Sequence, residues 1–303
     1  MSVRVSFVAL LTVFVSVALV AQQAPIPSAA PVAPPPGSLR PMHVYVRAGL
    51  KSHAEGQHDY PQLLADWSKL LTERGAIVDG GLHFPTAQEL AKVDVIVMYK
   101  GDAGWMTQSE KAVLEDYLKR GGGLVAFHDT ICGDDPAWQS TVFGGAKRHG
   151  ETNFSAGMIK YTVADPNDSI MRGVSNFEID DEAFFRMTWA QSPGIKVLAT
   201  APMPSGGEVV PQIWTYQRTL PGGYPFRAFV WMQGHLYANF SNPTVLPMLL
   251  RGVSWAANYP VDALANPVAR GRGGAGGGRG GRGAGRGGAA PQAPGAPGGR
   301  GGN

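Results

Sequence analysis

Two unbroken apolar runs stand out along the chain, one in "VDVIVMYK" (residues 93–100) and one in "GGGLVAF" (residues 121–127). Short apolar runs bounded by polar residues predict strands buried on both faces of a sheet. An earlier segment, "MHVYVRAG", predicts a first strand. After a polar loop, Asp59 is placed to cap a helix with Pro61 in its first turn, and Leu63, Leu64, Trp67, Leu70 and Leu71 recur at helical spacing as far as Gly75. Thr107 and Glu110 form a capping-box pattern ahead of "QSEKAVLEDYLKR", which carries Val113, Leu114, Tyr117 and Leu118 on one side and stops at Gly121. Beyond residue 150 the chain is richer in strands: "GMIKYTVAD", "AFFRMTW", "IKVLAT", "PQIWTY" and "RAFVWMQGH". A last helix starts near Asn242-Pro243 and buries Leu246, Leu249, Leu250 and Val253. This alternation predicts an α/β fold with a doubly wound, mostly parallel sheet over residues 41–262.

The two ends read differently. One arginine, Arg4, precedes an apolar run over residues 5–20, with small residues at its end, Ala18 and Ala21. That pattern predicts a signal peptide over residues 1–21 and a secreted or periplasmic protein; the run is short for a membrane span, so the mature chain is not expected to cross one. Residues 22–40 hold six prolines and read as an extended spacer. Residues 263–303 are rich in glycine and arginine and read as a disordered tail. The tail carries six arginines, so the chain's formal charge of +3 leaves the remainder at net −3. With no aromatic residue interleaved among those arginines, nucleic acid is not an expected partner. A single cysteine, Cys132, excludes an internal disulfide.

In open parallel sheets, ligands bind beyond the carboxyl ends of the strands. Four of the seven histidines fall on that predicted edge: His53 and His58 after the first strand, His128 after the Leu124 strand and His235 after "RAFVWMQG". Asp102, Trp105 and Asp129 follow strands in the same way, while His149 and Glu151 lie in the loop "GGAKRHGETN" and Asp181 and Glu182 just before the strand "AFF". Imidazoles and carboxylates together bind divalent metals, exchange protons or grip sugar hydroxyls. Each residue also has a plainer reading: His128 as a turn cap, Asp129 as a helix cap, His149 and Glu182 as solvated side chains. His53 and His58 rank lower because their loop reads as mobile. No strict metal signature is present, so a metal would have to be assembled from distant loops and its identity is open. Trp105, Trp138 and Trp214 can stack on sugar rings or fill the core. The glycines at 121–123 precede their strand, which argues against a dinucleotide site. Cys132 lies four residues past the elbow where an activated cysteine belongs.

Together "YLKRGGGLVAFHDT", "FGGAKRHGETN", "DDEAFF", "VLAT", "VWMQGH" and "LPMLLRGVSWAAN" resemble the trehalose-utilisation ThuA-like family, whose fold is related to class I glutamine amidotransferases. The resemblance implies a flavodoxin-like sheet with His128 where an amidotransferase carries its cysteine, and hence no glutaminase chemistry. It also implies a site of His128, His149, Glu182 and His235; Asp129, Glu151, Asp181 and Trp105, from the reading of the residues above, are the expected substrate contacts. The implied role is in carbohydrate metabolism on a disaccharide or keto-sugar, by hydrolysis, elimination or isomerisation. A divalent metal and a partner sugar oxidoreductase or second copy of the chain are compatible with it. A carbohydrate-binding or scaffold module without chemistry is the alternative.

Overall fold

The computed structural model describes residues 40–151 and 153–266. The expected signal peptide, nearly all of the proline spacer and the tail from residue 267 onward lie outside the described residues. Among the described residues no helix is long and apolar enough to cross a membrane.

In chain order the elements begin with β1 (His43–Ala48), α1 (Tyr60–Glu73), β2 (Ile77–Gly81), α2 (Ala87–Leu90) and β3 (Val95–Tyr99). Next come α3 (Gln108–Lys119), β4 (Gly123–Phe127), β5 (Cys132–Gly133), α4 (Pro136–Phe143) and β6 (Gly145–Arg148). The second half holds β7 (Phe154–Val163), β8 (Phe177–Phe184), β9 (Thr188–Trp189), β10 (Ile195–Pro202), β11 (Val209–Thr219), β12 (Pro225–Trp231) and α5 (Val245–Ala256).

Nine strands form one sheet in the order β2-β1-β3-β4-β12-β11-β10-β7-β8. The pairs from β2 through β12 are parallel, and those from β12 through β8 are antiparallel. The sheet is therefore mixed, not mostly parallel as the alternation suggested. The burial pattern gives the reason. β3 and β4 are buried at every position, as strands covered on both faces must be, whereas β7 leaves most alternate positions exposed and needs only one covered face.

β2 escaped the sequence reading because it is an edge strand, mostly exposed and ending in Gly80-Gly81, with almost no apolar alternation to detect. The segment "GGAKR" also proves to be a strand, β6, rather than a loop. The capping box at Thr107 and Glu110 forms as expected. Asp59 does precede α1 but makes no capping hydrogen bond; its carboxylate pairs with Lys51 at 2.8 Å.

The core joins α1, the sheet and the segment ahead of α5 through aromatic contacts. Trp67 meets Phe127 with ring centroids 5.2 Å apart, and Phe240 lies 5.3 Å from both Phe127 and Trp231. Trp214 is fully buried, with its indole N–H donating to the carbonyl of Phe143 at 2.8 Å, so it fills the core and is not available to a sugar. Trp138 is likewise committed, donating to Glu115 at 3.1 Å.

Register levels the carboxyl ends of the parallel strands. Ala48 pairs with Tyr99, Met98 with Ala126 and Trp231 with Phe127. The four loops leaving these ends therefore start side by side, which is what brings residues distant in sequence to one place.

Candidate metal centre and active site

His128 is the first residue after β4 and opens a 3-10 turn, His128–Ile131. Its φ of +50° lies in the left-handed region that residues with a side chain rarely adopt. His53 and His58 share this conformation, with φ of +64° and +47°. Such strained positions persist only where the surroundings hold them, and they cluster at functional sites.

His58, discounted as part of a mobile loop, is central. Its backbone N–H donates to the carbonyl of His235 at 3.0 Å, and Gln57 forms an isolated antiparallel bridge with Leu236. The loop after β1 is thereby stitched to the loop after β12, and the His58 side chain is buried.

His58, His128 and His235 each offer one ring nitrogen, and these nitrogens all lie within 4.8 Å of one another. Nε2 of His128 is 3.0 Å from Nε2 of His58. Nδ1 of His128 lies 3.2 Å from the carbonyl oxygen of Met232. A carbonyl can only accept, so Nδ1 carries the proton and Nε2 presents a lone pair to the centre. His58 is tethered in the same sense, its Nδ1 being 3.2 Å from the hydroxyl of Ser52.

Burial lowers the pKa of His58 from 6.5 to about 2, with repulsion from His128 adding to it. The same two causes, in the same order, lower His235 to about 4. Both rings are therefore neutral near pH 7, the state a metal ligand needs.

Carboxylates surround the trio. Oδ2 of Asp129 is 3.8 Å from Nε2 of His58, and Oδ1 is 4.0 Å from Nε2 of His128. Oε2 of Glu182 is 3.3 Å from Nδ1 of His235. That contact lacks hydrogen-bond geometry, and the buried Nδ1 has no other partner among the described residues. Burial pushes the Glu182 carboxyl above its ordinary value, although the nearby charges of His128 and Lys147 pull the other way.

Asp181, expected as a substrate contact, is engaged in hydrogen bonds within the protein. Its oxygens accept from the backbone N–H groups of Glu182 (2.7 Å) and His235 (3.0 Å) and from Nδ2 of Asn239 (2.6 Å). A further bond comes from the N–H of Gly234 at 3.2 Å. Asp181 thus holds the Gly234-His235 turn in place. Asp180, Asp181 and Glu182 lie inside β8, not in a loop before it.

His149 stands apart from the trio in its contacts. Its Nδ1 is 2.6 Å from Oδ1 of Asp102, and its ring lies 4.6 Å from that of Trp105. Trp105 is 53% exposed, which leaves one aromatic face open to a ligand. Glu151 is exposed and pairs with Arg148 at 3.5 Å. Cys132 is buried, its thiol donates to Asp129 at 3.3 Å, and burial raises its pKa well above the usual thiol value.

Three imidazoles with adjacent carboxylates are the donor set of zinc and other first-row divalent ions. Two nitrogens sharing one tetrahedral zinc would stand roughly 3.3 Å apart, close to the spacing of His58 and His128. The orphaned Nδ1 of His235 also fits a centre that lacks one partner. By contrast, a cavity of about 550 Å³ opens at the amino-terminal edge of the parallel strands, lined by Arg40, His43, Asp94 and Arg120. Its two arginines are already committed, Arg40 to Asp94 and Arg120 to the carbonyls of Leu90, Ala91 and Val93.

A family model described as trehalose utilisation, ThuA, matches residues 51–256, a span that contains the whole trio and Glu182. The chain belongs to the ThuA family. Membership supports a role connected with carbohydrate utilisation in general. No curated protein matches the chain. Among solved structures, a protein described as ThuA-like from Bacteroides uniformis is 19% identical, with a TM-score of 0.56 and coverage of 73% of this chain and 94% of that one. That likeness places the ThuA chain in the same fold. A glutamine amidotransferase from Thermotoga maritima is 14% identical, with a TM-score of 0.38 and coverage of 64% of this chain and 76% of that one.

Proposed function

We propose that this ThuA-family chain is an exported carbohydrate-processing enzyme in which His58, His128 and His235 hold one divalent metal and Glu182 moves the proton. The convergence of the three ring nitrogens beside Glu182 carries the reading. A metal bound there would supply a Lewis acid that polarises a carbonyl or hydroxyl oxygen of the sugar.

The chain's own groups do the rest. Partly buried Glu182, its pKa raised by burial, can either deliver or take a proton. Neutral His235 beside it orients the carboxyl. Asp181 fixes the turn that carries His235. Substrates of this chemistry are disaccharides or their keto-sugar forms, and a proton moved next to a carbonyl serves elimination and isomerisation as well as hydrolysis. A sugar oxidoreductase would be the partner that supplies the keto form.

The amidotransferase-like reading of the fold fits this assignment. His128 takes the elbow where those enzymes place their cysteine, and Cys132 is buried with a thiol held protonated. Glutaminase activity is not expected. The test is turnover of a panel of disaccharides and 3-keto-glycosides by zinc-loaded protein and by Glu182→Gln. Turnover lost in the variant with metal content unchanged supports the assignment; equal turnover by both refutes it.

A second reading is favoured by the half-exposed Trp105 beside the His149–Asp102 pair. On this reading the chain binds a carbohydrate without transforming it, and calorimetry would register sugar binding with no product.

A further inference from the structure

Lys147 is the cation near the centre that the mechanism above leaves without a task. It lies on β6 opposite Cys132 of β5, and its side chain is only 7% exposed. Among the described residues its ammonium has no hydrogen-bond or ion-pair partner. Its contacts are aromatic: Nζ stands 4.8 Å from the ring centre of Phe184 and 5.7 Å from that of Phe154.

Phe184 locates this cation relative to the centre. The ring of His128 stacks on Phe184, with centroids 5.1 Å apart and planes 23° from parallel. Glu182 and Phe184 are two residues apart on β8, so their side chains leave the same face of the strand. Lys147 and His128 thus share one aromatic neighbour, on the face that also carries Glu182.

Burying a cation is costly unless something compensates for it, and aromatic faces compensate only in part. Asp129 and Glu182 would be the obvious counterions, yet neither pairs with Lys147: Asp129 faces the histidines and the Cys132 thiol, and Glu182 faces His235. An ammonium on a lysine this deeply buried, with no counterion among the described residues and beside the proposed substrate site, is suited to bind a negatively charged oxygen.

We propose that Lys147 is the anion-binding residue of this site, and that the ligand presents a negatively charged oxygen to its ammonium. This rests on the reading of the site as a sugar site, and it adds a substrate class: sugars that bear a carboxylate, or ketones whose oxygen becomes negative during reaction. The first carries its charge on binding and the second only as the proton moves.

The test separates these sources: its binding arm uses metal-free protein and its kinetic arm the zinc-loaded enzyme. Glucuronate and glucose are titrated calorimetrically into metal-free wild type, Lys147→Met and Lys147→Arg. Lys147→Met keeps the stem that packs on Phe154 and Phe184, and melting temperature checks that both variants fold. If the charge is on the bound sugar, wild type and the Arg variant prefer glucuronate by roughly tenfold or more, as a hydrogen bond to a charged group warrants, and the Met variant shows no preference. If the charge appears only during reaction, the preference is absent and Lys147→Met lowers kcat on a 3-keto-glycoside at least tenfold with KM unchanged, with Lys147→Arg restoring part of it. Neither effect in folded Lys147→Met overturns the proposal. Zinc binding by the same proteins reports on the histidine centre separately, so its failure leaves the result for Lys147 readable.

Discussion

Nε2 of His128 and Nε2 of His58 stand 3.0 Å apart although seventy residues separate them in the chain. With the Nδ1 proton of His128 directed at the Met232 carbonyl, two ring nitrogens face each other and cannot both be lone pairs without a proton or a cation between them. The four level strand ends of the parallel half produce this encounter, and the third ring, His235, completes it.

Glu182 is expected to be the proton-transfer group. Glu182→Gln keeps the shape of the side chain and removes its acid–base capacity, so kcat should fall by roughly 10²- to 10⁴-fold while zinc content stays at the wild-type level. Steady-state kinetics alongside metal analysis of the same preparation checks both halves of this expectation.

Gly234 should tolerate no side chain. Its φ is +125°, and an added Cβ would lie 3.0 Å from Cζ of Phe240. Gly234→Ala is expected to destabilise the fold by roughly 1–3 kcal/mol and to displace His235 from the trio. Denaturant titration would show the first effect and weakened zinc binding the second.

Acid should destabilise the metal-free protein through the buried histidines. His58 and His235 have folded pKa values of about 2 and about 4, below the ordinary 6.5 of the unfolded chain. Between these limits the unfolded state binds more protons, so stability is full above about pH 6.5 and declines as the pH falls toward the folded values. His58→Gln should flatten that decline, as seen in melting temperatures from pH 7 to pH 4.

The strands that carry the site were legible because β3 and β4 are apolar at every position, and the rule that ligands gather beyond strand ends pointed to His128 and His235, whose rings the fold brings together. His58 fell on the same predicted edge, but nothing in its polar loop reveals that its backbone would be pinned to the carbonyl of His235. The mixed sheet was not legible, because strand direction is set by pairing between β10, β11 and β12 rather than by any local pattern. Asp181 and Glu182 read as a loop because acidic residues are poor strand formers; the buried donors around Asp181 hold them in β8. His149 matched the family's motif, yet its partner is Asp102.

Metal content measures the central claim most directly. Purified protein incubated with zinc and then freed of excess metal should retain one equivalent per chain, and His58→Ala, His128→Ala and His235→Ala should each weaken binding by about 100-fold or more while remaining folded. Wild-type protein that retains no zinc, or a His58→Ala variant that retains as much as wild type, would contradict the account.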